Sequence, residues 1–183
     1  MDYTLYLNAK LQPFIRNDLE DIFEDFLEKH NLGSLTDNVP NSKVIEKTPY
    51  CNITFATSSI KELSEEEIIT LKEFFIENPV PKDTKIICNE TKRLISVGTL
   101  EGLGLYINWT DLPNEVYVQN DINDLNEMIL EQLGTKVQIM SYSEHENDTA
   151  LYYYGSSFND MHNEIKEIIS SHPLCEKSKV QQI

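Results

Sequence analysis

The residue types that most often carry out chemistry are spread thinly along this chain. The histidines are His30, His145, His162 and His172. A zinc site gathers several nitrogen or sulfur ligands, and its usual sequence signs are His-x-x-x-His or Cys-x-x-Cys pairs. Neither pair occurs, so the sequence argues against a zinc site. His162 and His172, on or just after the last predicted helix, are interpreted as surface or capping residues.

The cysteines and serines indicate structure rather than catalysis. Cys51, Cys88 and Cys175 are odd in number and widely spaced, which favours reduced, mostly buried thiols in a cytoplasm over a disulfide framework. Cys51 lies inside a β-rich segment, Tyr50–Phe55, where a buried thiol is favoured over a nucleophile. The serines considered as nucleophiles are Ser34, Ser156 and Ser157, and none has the strand–turn–helix context of a nucleophile elbow.

Two further segments match binding motifs only in part. Glu144, Glu146 and Asp148 could bind calcium, but they lack the glycine and the closing glutamate of an EF-hand loop. The segment 98–104, Gly-Thr-Leu-Glu-Gly-Leu-Gly, has neither the dinucleotide-binding nor the Walker spacing of a phosphate loop. Its glycines are expected to mark bends or close backbone approach. We therefore expect no metal, no cofactor and no enzymatic activity.

Charge is the strongest feature of the composition. The chain has 31 acidic and 15 basic residues, a net charge of −16. A field of this sign repels nucleic acid and anionic membranes and attracts basic proteins. No Lys or Arg occurs between Arg93 and Lys136, and the acids there are Glu101, Asp111, Glu115, Asp121, Asp124, Glu127 and Glu131. This run is either a solvated face or a face that binds a partner.

Hydrophobic periodicity and capping signals predict the elements that position these residues. In the first half they are a strand over 3–9 closed by Pro13, a helix over about 18–31 capped by Asn17 or Asp18, a strand at Leu35–Thr36 or Val44–Ile45, a strand in Tyr50–Phe55, a helix ending before Pro79, a strand at Lys85–Cys88 and an additional strand within Arg93–Val97. Ser64, followed by three glutamates, is expected to begin the second helix with a capping box.

The second half is predicted to repeat this order. Its elements are a strand at Leu105–Trp109, a helix at Asp124–Glu131 stopped by Gly134, a hairpin of Val137–Tyr142 and Ala150–Tyr154 with the turn Ser143–Thr149, and a helix at Met161–Ile169. The acidic turn of that hairpin adds further carboxylates to the run described above.

Two pairs of segments indicate that the repeat is a duplication. Leu5–Pro13 reads Leu-Tyr-Leu-Asn-Ala-Lys-Leu-Gln-Pro, and Leu105–Pro113 reads Leu-Tyr-Ile-Asn-Trp-Thr-Asp-Leu-Pro. Leu71–Ile86 and Ile165–Val180 align without a gap. Matching elements joined by loops of unequal length are typical of a duplicated fold. The predicted fold class is α+β: tandem ferredoxin-like βαββαβ units over residues 1–98 and 99–183, or one domain in which the two are fused.

In such a unit both helices cover one face of an antiparallel sheet. The positions expected to face the helices are Leu5, Leu7, Leu105, Ile107 and Trp109. Trp109 is therefore expected to be buried, where the first unit has Ala9. The opposite face would carry Tyr6, Tyr106 and one parity of Tyr152–Tyr154, which is too apolar to be left in water over a large area. We expect the two units to pack through that face, with a partner protein as the alternative.

A resemblance is carried by five segments in order: Leu5–Pro13, Pro49–Ile53 (Pro-Tyr-Cys-Asn-Ile), Leu105–Pro113, Leu151–Phe158 (Leu-Tyr-Tyr-Tyr-Gly-Ser-Ser-Phe) and Pro173–Cys175 (Pro-Leu-Cys). Over almost its whole length the chain resembles small acidic bacterial proteins with no assigned activity, and it is similar in type to immunity proteins of toxin systems, including contact-dependent growth inhibition. The resemblance implies a protein that binds a cognate toxin domain, often a basic nuclease, and blocks its active site. It implies no catalytic residues. The polar run at Asp37-Asn38 departs from the glycine-rich turn expected there.

The sequence thus predicts a non-enzymatic immunity protein that neutralises a basic toxin domain by charge-complementary docking. The residues predicted to bind the partner are Trp109, Asp111, Glu115, Tyr117, Asp121, Asp124, Glu127, Glu131, Glu144, Glu146 and Asp148. No nucleic acid or membrane partner is expected, and the protein should be a monomer or a weak dimer. The start lacks the features of a signal peptide, and no apolar stretch approaches about 18 residues, so a cytoplasmic location is expected. The alternative function is a regulatory module that holds a small metabolite between the two units.

Overall fold

The chain folds into two compact units, Met1–Thr99 and Leu100–Ile183. The computed structural model describes residues 1–36 and 51–183, and of Cys51 only the backbone. Each unit combines helices with its own antiparallel sheet, so the fold class is α+β. The alternative second strand at Val44–Ile45 and the polar run at Asp37-Asn38 lie outside the described residues, as does the side chain of Cys51.

The first unit carries a five-stranded sheet and two helices. Its elements are β1 (Asp2–Leu7), α1 (Pro13–Lys29), β2 (Ser34–Leu35), β3 (Cys51–Ala56), α2 (Glu65–Glu77), β4 (Lys85–Cys88) and β5 (Leu94–Ser96). The strand order is β2-β3-β1-β4-β5, and every neighbouring pair is antiparallel. The predictions of a strand at Lys85–Cys88 and of an additional strand within Arg93–Val97 are confirmed.

The two helices of this unit differ in how well local signals locate their first residues. The Ser64 hydroxyl oxygen accepts a hydrogen bond from the Glu67 N–H, and the Glu67 carboxylate accepts one from the Ser64 N–H. The predicted capping box is therefore confirmed. By contrast, α1 begins at Pro13 and not near Asp18. Proline suits the first helical position because its fixed φ is already helical. Its lack of an N–H costs nothing there, since an N–H at that position would have no acceptor within the helix. Pro13 therefore starts the helix as well as closing the strand.

The second unit carries a four-stranded sheet, again with helices packed against it. Its elements are β6 (Glu101–Asn108), α3 (Asn114–Gln119), α4 (Ile122–Leu133), β7 (Val137–Glu144), β8 (Asp148–Gly155), α5 (Phe158–Ser171) and β9 (Lys179–Gln182), with 3-10 turns at Gly134–Lys136 and Pro173–Cys175. The strand order is β7-β8-β6-β9, all antiparallel. Short helix α3 was not predicted.

Several predicted boundaries in this unit were wrong, among them the start of β6 and the hairpin turn. Strand β6 starts at Glu101, four residues earlier than expected, and runs through two glycines. Gly102 is there because a Cβ at this position would lie 2.9 Å from the backbone oxygen of Ile183, so it marks close approach and not a bend. The hairpin turn is also shorter than expected: the polar residues Ser143 and Glu144 extend β7, and Asp148 and Thr149 begin β8.

The core of the second unit lies between the helices and one face of the sheet. Leu105 and Ile107 of β6 are fully buried, as predicted. They pack in one cluster with Ile129 of α4, Ile165 of α5 and Tyr153 of β8. The predicted helix stop at Gly134 is confirmed, since this residue has a φ of +51° and follows the last residue of α4.

The strand registers of the two units pair corresponding residues. In the first unit Leu5 lies opposite Ile86, and in the second Leu105 lies opposite Val180. The next pairs are Tyr6 with Lys85 and Tyr106 with Lys179. None of the helices within residues 1–36 and 51–183 is both long enough and apolar enough to cross a bilayer.

Candidate functional site

The candidate site lies just beyond the end of β6, where Trp109 projects into solvent. The prediction that Trp109 faces the helices and is buried was wrong: its side chain is 37% exposed. The strand ends at Asn108, whose side-chain oxygen accepts hydrogen bonds from the N–H groups of Thr110 and Asp111, both at 2.8 Å. This turn breaks the strand alternation one residue before Trp109, so the in-and-out pattern does not extend to it.

Trp109 is held in place by the tip of the β7–β8 hairpin and by a tyrosine. Its backbone N–H donates to the Asn147 carbonyl at 3.0 Å, and its indole Nε1–H donates to the Thr149 hydroxyl. The Trp109 and Tyr117 rings are 5.5 Å apart between centroids and inclined by 41°, within the range of favourable aromatic pairs. The Tyr117 hydroxyl donates to the Asn108 carbonyl at 3.3 Å and accepts from the Leu112 N–H at 3.0 Å. Both rings are therefore fixed before any partner arrives.

These two rings line an open surface depression of about 370 Å³ together with Asp121 and Asp124 at the start of α4. Val118, which also lines it, is 84% exposed. Four of the predicted binding residues, Trp109, Tyr117, Asp121 and Asp124, are thus brought together around one concave surface. An exposed tryptophan packed on a half-buried tyrosine, beside two carboxylates, is suited to a cationic group, because aromatic faces and carboxylates both attract positive charge.

The local field in this depression is negative despite the helix end beside it. Asp121 is the N-cap of α4, and its Oδ1 accepts from the Asn123 N–H at 2.8 Å. A helix N-terminus behaves as roughly half a positive charge. Asp121 and Asp124 together bring two negative charges, so they outweigh the helix end.

An acidic row continues from the depression along α4. Asp124, Glu127 and Glu131 are exposed, and Leu125 and Ile129 of the same helix are buried. Residues three and four apart lie on one side of a helix, and like charges at that spacing destabilise it by about 0.2–0.5 kcal/mol per pair. The row is therefore a local cost to the fold that a cationic partner would relieve.

The other predicted residues of the acidic run have different surroundings. The Asp111 carboxylate accepts from the Asn108 side-chain amide at 3.1 Å, and its carbonyl accepts from Lys177 Nζ at 2.8 Å. Although the sequence around Asp111 contains no Lys or Arg, the folded chain therefore places Lys177 beside it. Glu115 is exposed on α3. Glu101 accepts from the Phe158 N–H at 2.9 Å at the start of α5, which is a capping role.

The hairpin carboxylates do not form the single acidic turn that was expected. Glu144 ends β7 and Glu146 lies in the turn, both exposed. Asp148 begins β8, and its Oδ1 lies 2.7 Å from His145 Nδ1. His145 Nε2 is in turn 3.0 Å from Ser143 Oγ. Sequence reasoning missed the pairing of Ser143 with His145 because both residues were placed in the predicted turn. The available signal was their spacing of two residues, which puts the side chains of an extended segment on one face.

Burial alters the pKa of two groups near the end of the second unit, Cys175 and His172. Burial raises the pKa of the Cys175 thiol to about 11, and Cys88 is also buried, as expected for structural thiols. Burial lowers the pKa of His172, whose Nδ1 accepts from the Leu174 N–H at 3.3 Å. Of the two predicted roles, surface or capping, the structure shows capping. Within the described ranges, no group of three or more His, Cys, Asp or Glu is placed to hold a metal ion.

Comparison with known proteins adds no family to these observations. No protein-family model matches the chain, and no curated protein is significantly similar to it. The functional argument therefore rests on the geometry and charge of the site.

Proposed function

We propose that this protein is a non-enzymatic, immunity-type inhibitor that binds a basic bacterial toxin domain and blocks its active site. The observation that carries the proposal is the depression between Trp109–Tyr117 and Asp121–Asp124, continued by the acidic row of α4 on a chain of net charge −16. In this proposal the protein acts in the cytoplasm as a monomer or weak dimer. Its partner is a protein toxin, often a nuclease, whose active-site cleft is basic because it binds a polyanion.

We also propose that the two units are tandem copies of a ferredoxin-like βαββαβ unit. The matched registers support this. Leu5 aligns in sequence with Leu105, and Ile86 aligns with Val180 at a different offset. Leu5 lies opposite Ile86 in the first sheet, and Leu105 lies opposite Val180 in the second. The two sheets also share a core order, since β3-β1-β4 in one corresponds to β8-β6-β9 in the other. In this proposal the second copy acquired the binding function, because Trp109 stands where the first copy has the buried Ala9.

Binding would divide between charge and aromatic contact. The exposed acids of α4 would attract the basic partner over distances up to the Debye length, about 8 Å at physiological salt, and would mainly raise the association rate. A lysine or arginine side chain of the toxin would enter the depression and stack on Trp109 while its charge meets Asp121 and Asp124. Preformed rings lose little conformational entropy on binding, so most of the affinity would come from them.

The test uses the full chain and, as its probe, the C-terminal domain encoded by the gene immediately upstream, which this proposal expects to be a basic toxin. Association is followed through the fluorescence of Trp109, which is the only tryptophan of the chain. The variant D121K/D124K/E127K is expected to slow association by roughly 10- to 1,000-fold at low salt, and far less in 1 M salt, where charges are screened.

A matched control separates the local surface from net charge. The variant E66K/E73K/E77K changes three exposed acids of α2 in the first unit and alters the net charge equally. It should associate nearly as fast as the wild type. Equal slowing by both variants would refute the acidic-surface mechanism, and failure of the chain to bind the neighbouring domain or to protect cells from it would refute the immunity function.

A further inference from the structure

Ser143, His145 and Asp148 form a continuous hydrogen-bonded chain on the β7–β8 hairpin. Ser143 Oγ lies 3.0 Å from His145 Nε2, and His145 Nδ1 lies 2.7 Å from Asp148 Oδ1. The atoms that meet are those of a serine–histidine–aspartate triad: hydroxyl to Nε2, and Nδ1 to carboxylate. The Tyr152 hydroxyl lies 2.6 Å from the same Ser143 Oγ.

The hairpin itself produces this alignment. Ser143 and His145 are two apart, so they project from the same face of the extended chain. The hairpin register places Ser143 opposite Ala150, and Asp148 and Tyr152 are each two residues from Ala150 on β8, on that same face. A hydrogen bond from the His145 N–H to the Asp148 carbonyl, 2.8 Å long, closes the turn and holds the imidazole beside the carboxylate.

The arrangement selects one pattern of protons. A carboxylate can only accept, so the Asp148–His145 contact places a proton on Nδ1, and in the neutral imidazole Nε2 is then an acceptor. Ser143 must then donate its hydroxyl proton to Nε2. The Tyr152 hydroxyl accordingly donates to Ser143 Oγ. The serine oxygen thus faces a base that can take its proton.

We propose that Ser143 is an activated nucleophile that accepts acyl groups from activated esters, with His145 as general base and Asp148 as a positioning residue. In this step Ser143 Oγ bonds to the ester carbonyl carbon while its proton passes to His145 Nε2. The bond from that carbon to the leaving oxygen then breaks, and the proton moves from Nε2 to the departing oxygen. The products are an ester of Ser143 and a free alcohol or phenol. The His145 and Asp148 side chains are 46% and 36% exposed, so a small reagent can reach the triad.

Ser143 and His145 are outside the set of residues proposed to bind the toxin, although Asp148 belongs to both sites and its neighbours Asn147 and Thr149 hold Trp109. The depression is formed by Trp109, Tyr117 and the start of α4, and none of these contributes a group to the triad. Loss of Ser143 reactivity therefore leaves the binding proposal intact, and failure of toxin binding leaves the reactivity intact.

The test is covalent labelling of the full chain with an alkyl fluorophosphonate, followed by intact mass measurement and peptide mapping. The probe forms an Oγ–P bond with loss of fluoride. A nucleophilic Ser143 therefore increases the mass of the protein by that of the phosphonyl group, whereas an unreactive Ser143 leaves the mass unchanged. We expect one adduct, at Ser143, in the native protein and none after heat denaturation. Ser143→Ala should abolish it, whereas Ser156→Ala, which removes another exposed serine of the same unit, should retain it.

The role of the two supporting residues is tested by labelling rates. General-base catalysis commonly contributes about 100- to 10,000-fold, so His145→Gln should label at least about 100-fold more slowly, and Asp148→Asn at an intermediate rate. Circular dichroism of each variant checks that the fold is retained. Absence of an adduct in the native wild type, an adduct at another residue, or equal labelling of native and denatured protein would overturn the proposal without reference to any variant.

Discussion

Reversing one charge in the middle of the α4 row should stabilise the fold while it weakens partner binding. Glu127 has Asp124 three residues before it and Glu131 four residues after it, and all three are exposed. Each like-charge pair costs about 0.2–0.5 kcal/mol, and an opposite pair returns a similar amount. Glu127→Lys converts two repulsions into two attractions, an upper range of about 0.8–2 kcal/mol. Because the Lys–Glu order of the second pair is the weaker orientation, we expect a gain of about 1 kcal/mol.

Urea unfolding at low salt measures this gain, with Glu127→Gln as the graded control. The glutamine variant removes both repulsions and adds no attraction, so it should gain about half as much. Both gains should largely disappear in 1 M salt, where the Debye length falls to about 3 Å. The reasoning would be wrong if Glu127→Lys were no more stable than the wild type, or if its gain persisted at high salt. If this acidic surface is retained for binding at a cost in stability, a substitution that stabilises the fold should also impair binding.

Two other predictions concern the core of the second unit. The Tyr153 hydroxyl, in a fully buried side chain, donates to Asn126 Oδ1 of a half-buried asparagine at 2.7 Å. Tyr153→Phe removes this hydrogen bond and should cost about 0.5–1.5 kcal/mol in urea unfolding, and an unchanged stability would contradict it. The Cys175 thiol has its pKa raised by burial from 9.0 to about 11, so its contribution to stability is complete below pH 9 and is lost as the pH rises towards 11, because the unfolded chain then releases the proton more readily. Cys175→Ser, compared with the wild type over that pH range, should show a smaller loss of stability; identical pH profiles would contradict this prediction.

Local signals in the sequence predicted most of the regular structure. The Ser64 capping box and the strand Lys85–Cys88 depend on residues close together in the chain, and both were confirmed. Errors arose where a local pattern was extended past its physical limit. The alternation of β6 was carried on to Trp109, although the Asn108 turn interrupts it. The polar residues at the hairpin tip predict a loop, but several of them lie in the strands, because an exposed strand end also accommodates polar side chains.

The sequence by itself determined the charge, the acidic interval and the periodicity of the helices and strands, because composition and local spacing are properties of the chain alone. Only the tertiary structure decided which of these residues meet. It placed Tyr117 against Trp109 at the mouth of the depression, and Lys177 against the carbonyl of Asp111, 66 residues away. It also aligned Ser143 with His145 and Asp148. Such contacts depend on strand register and on where each strand ends, and both are set by packing of the whole unit.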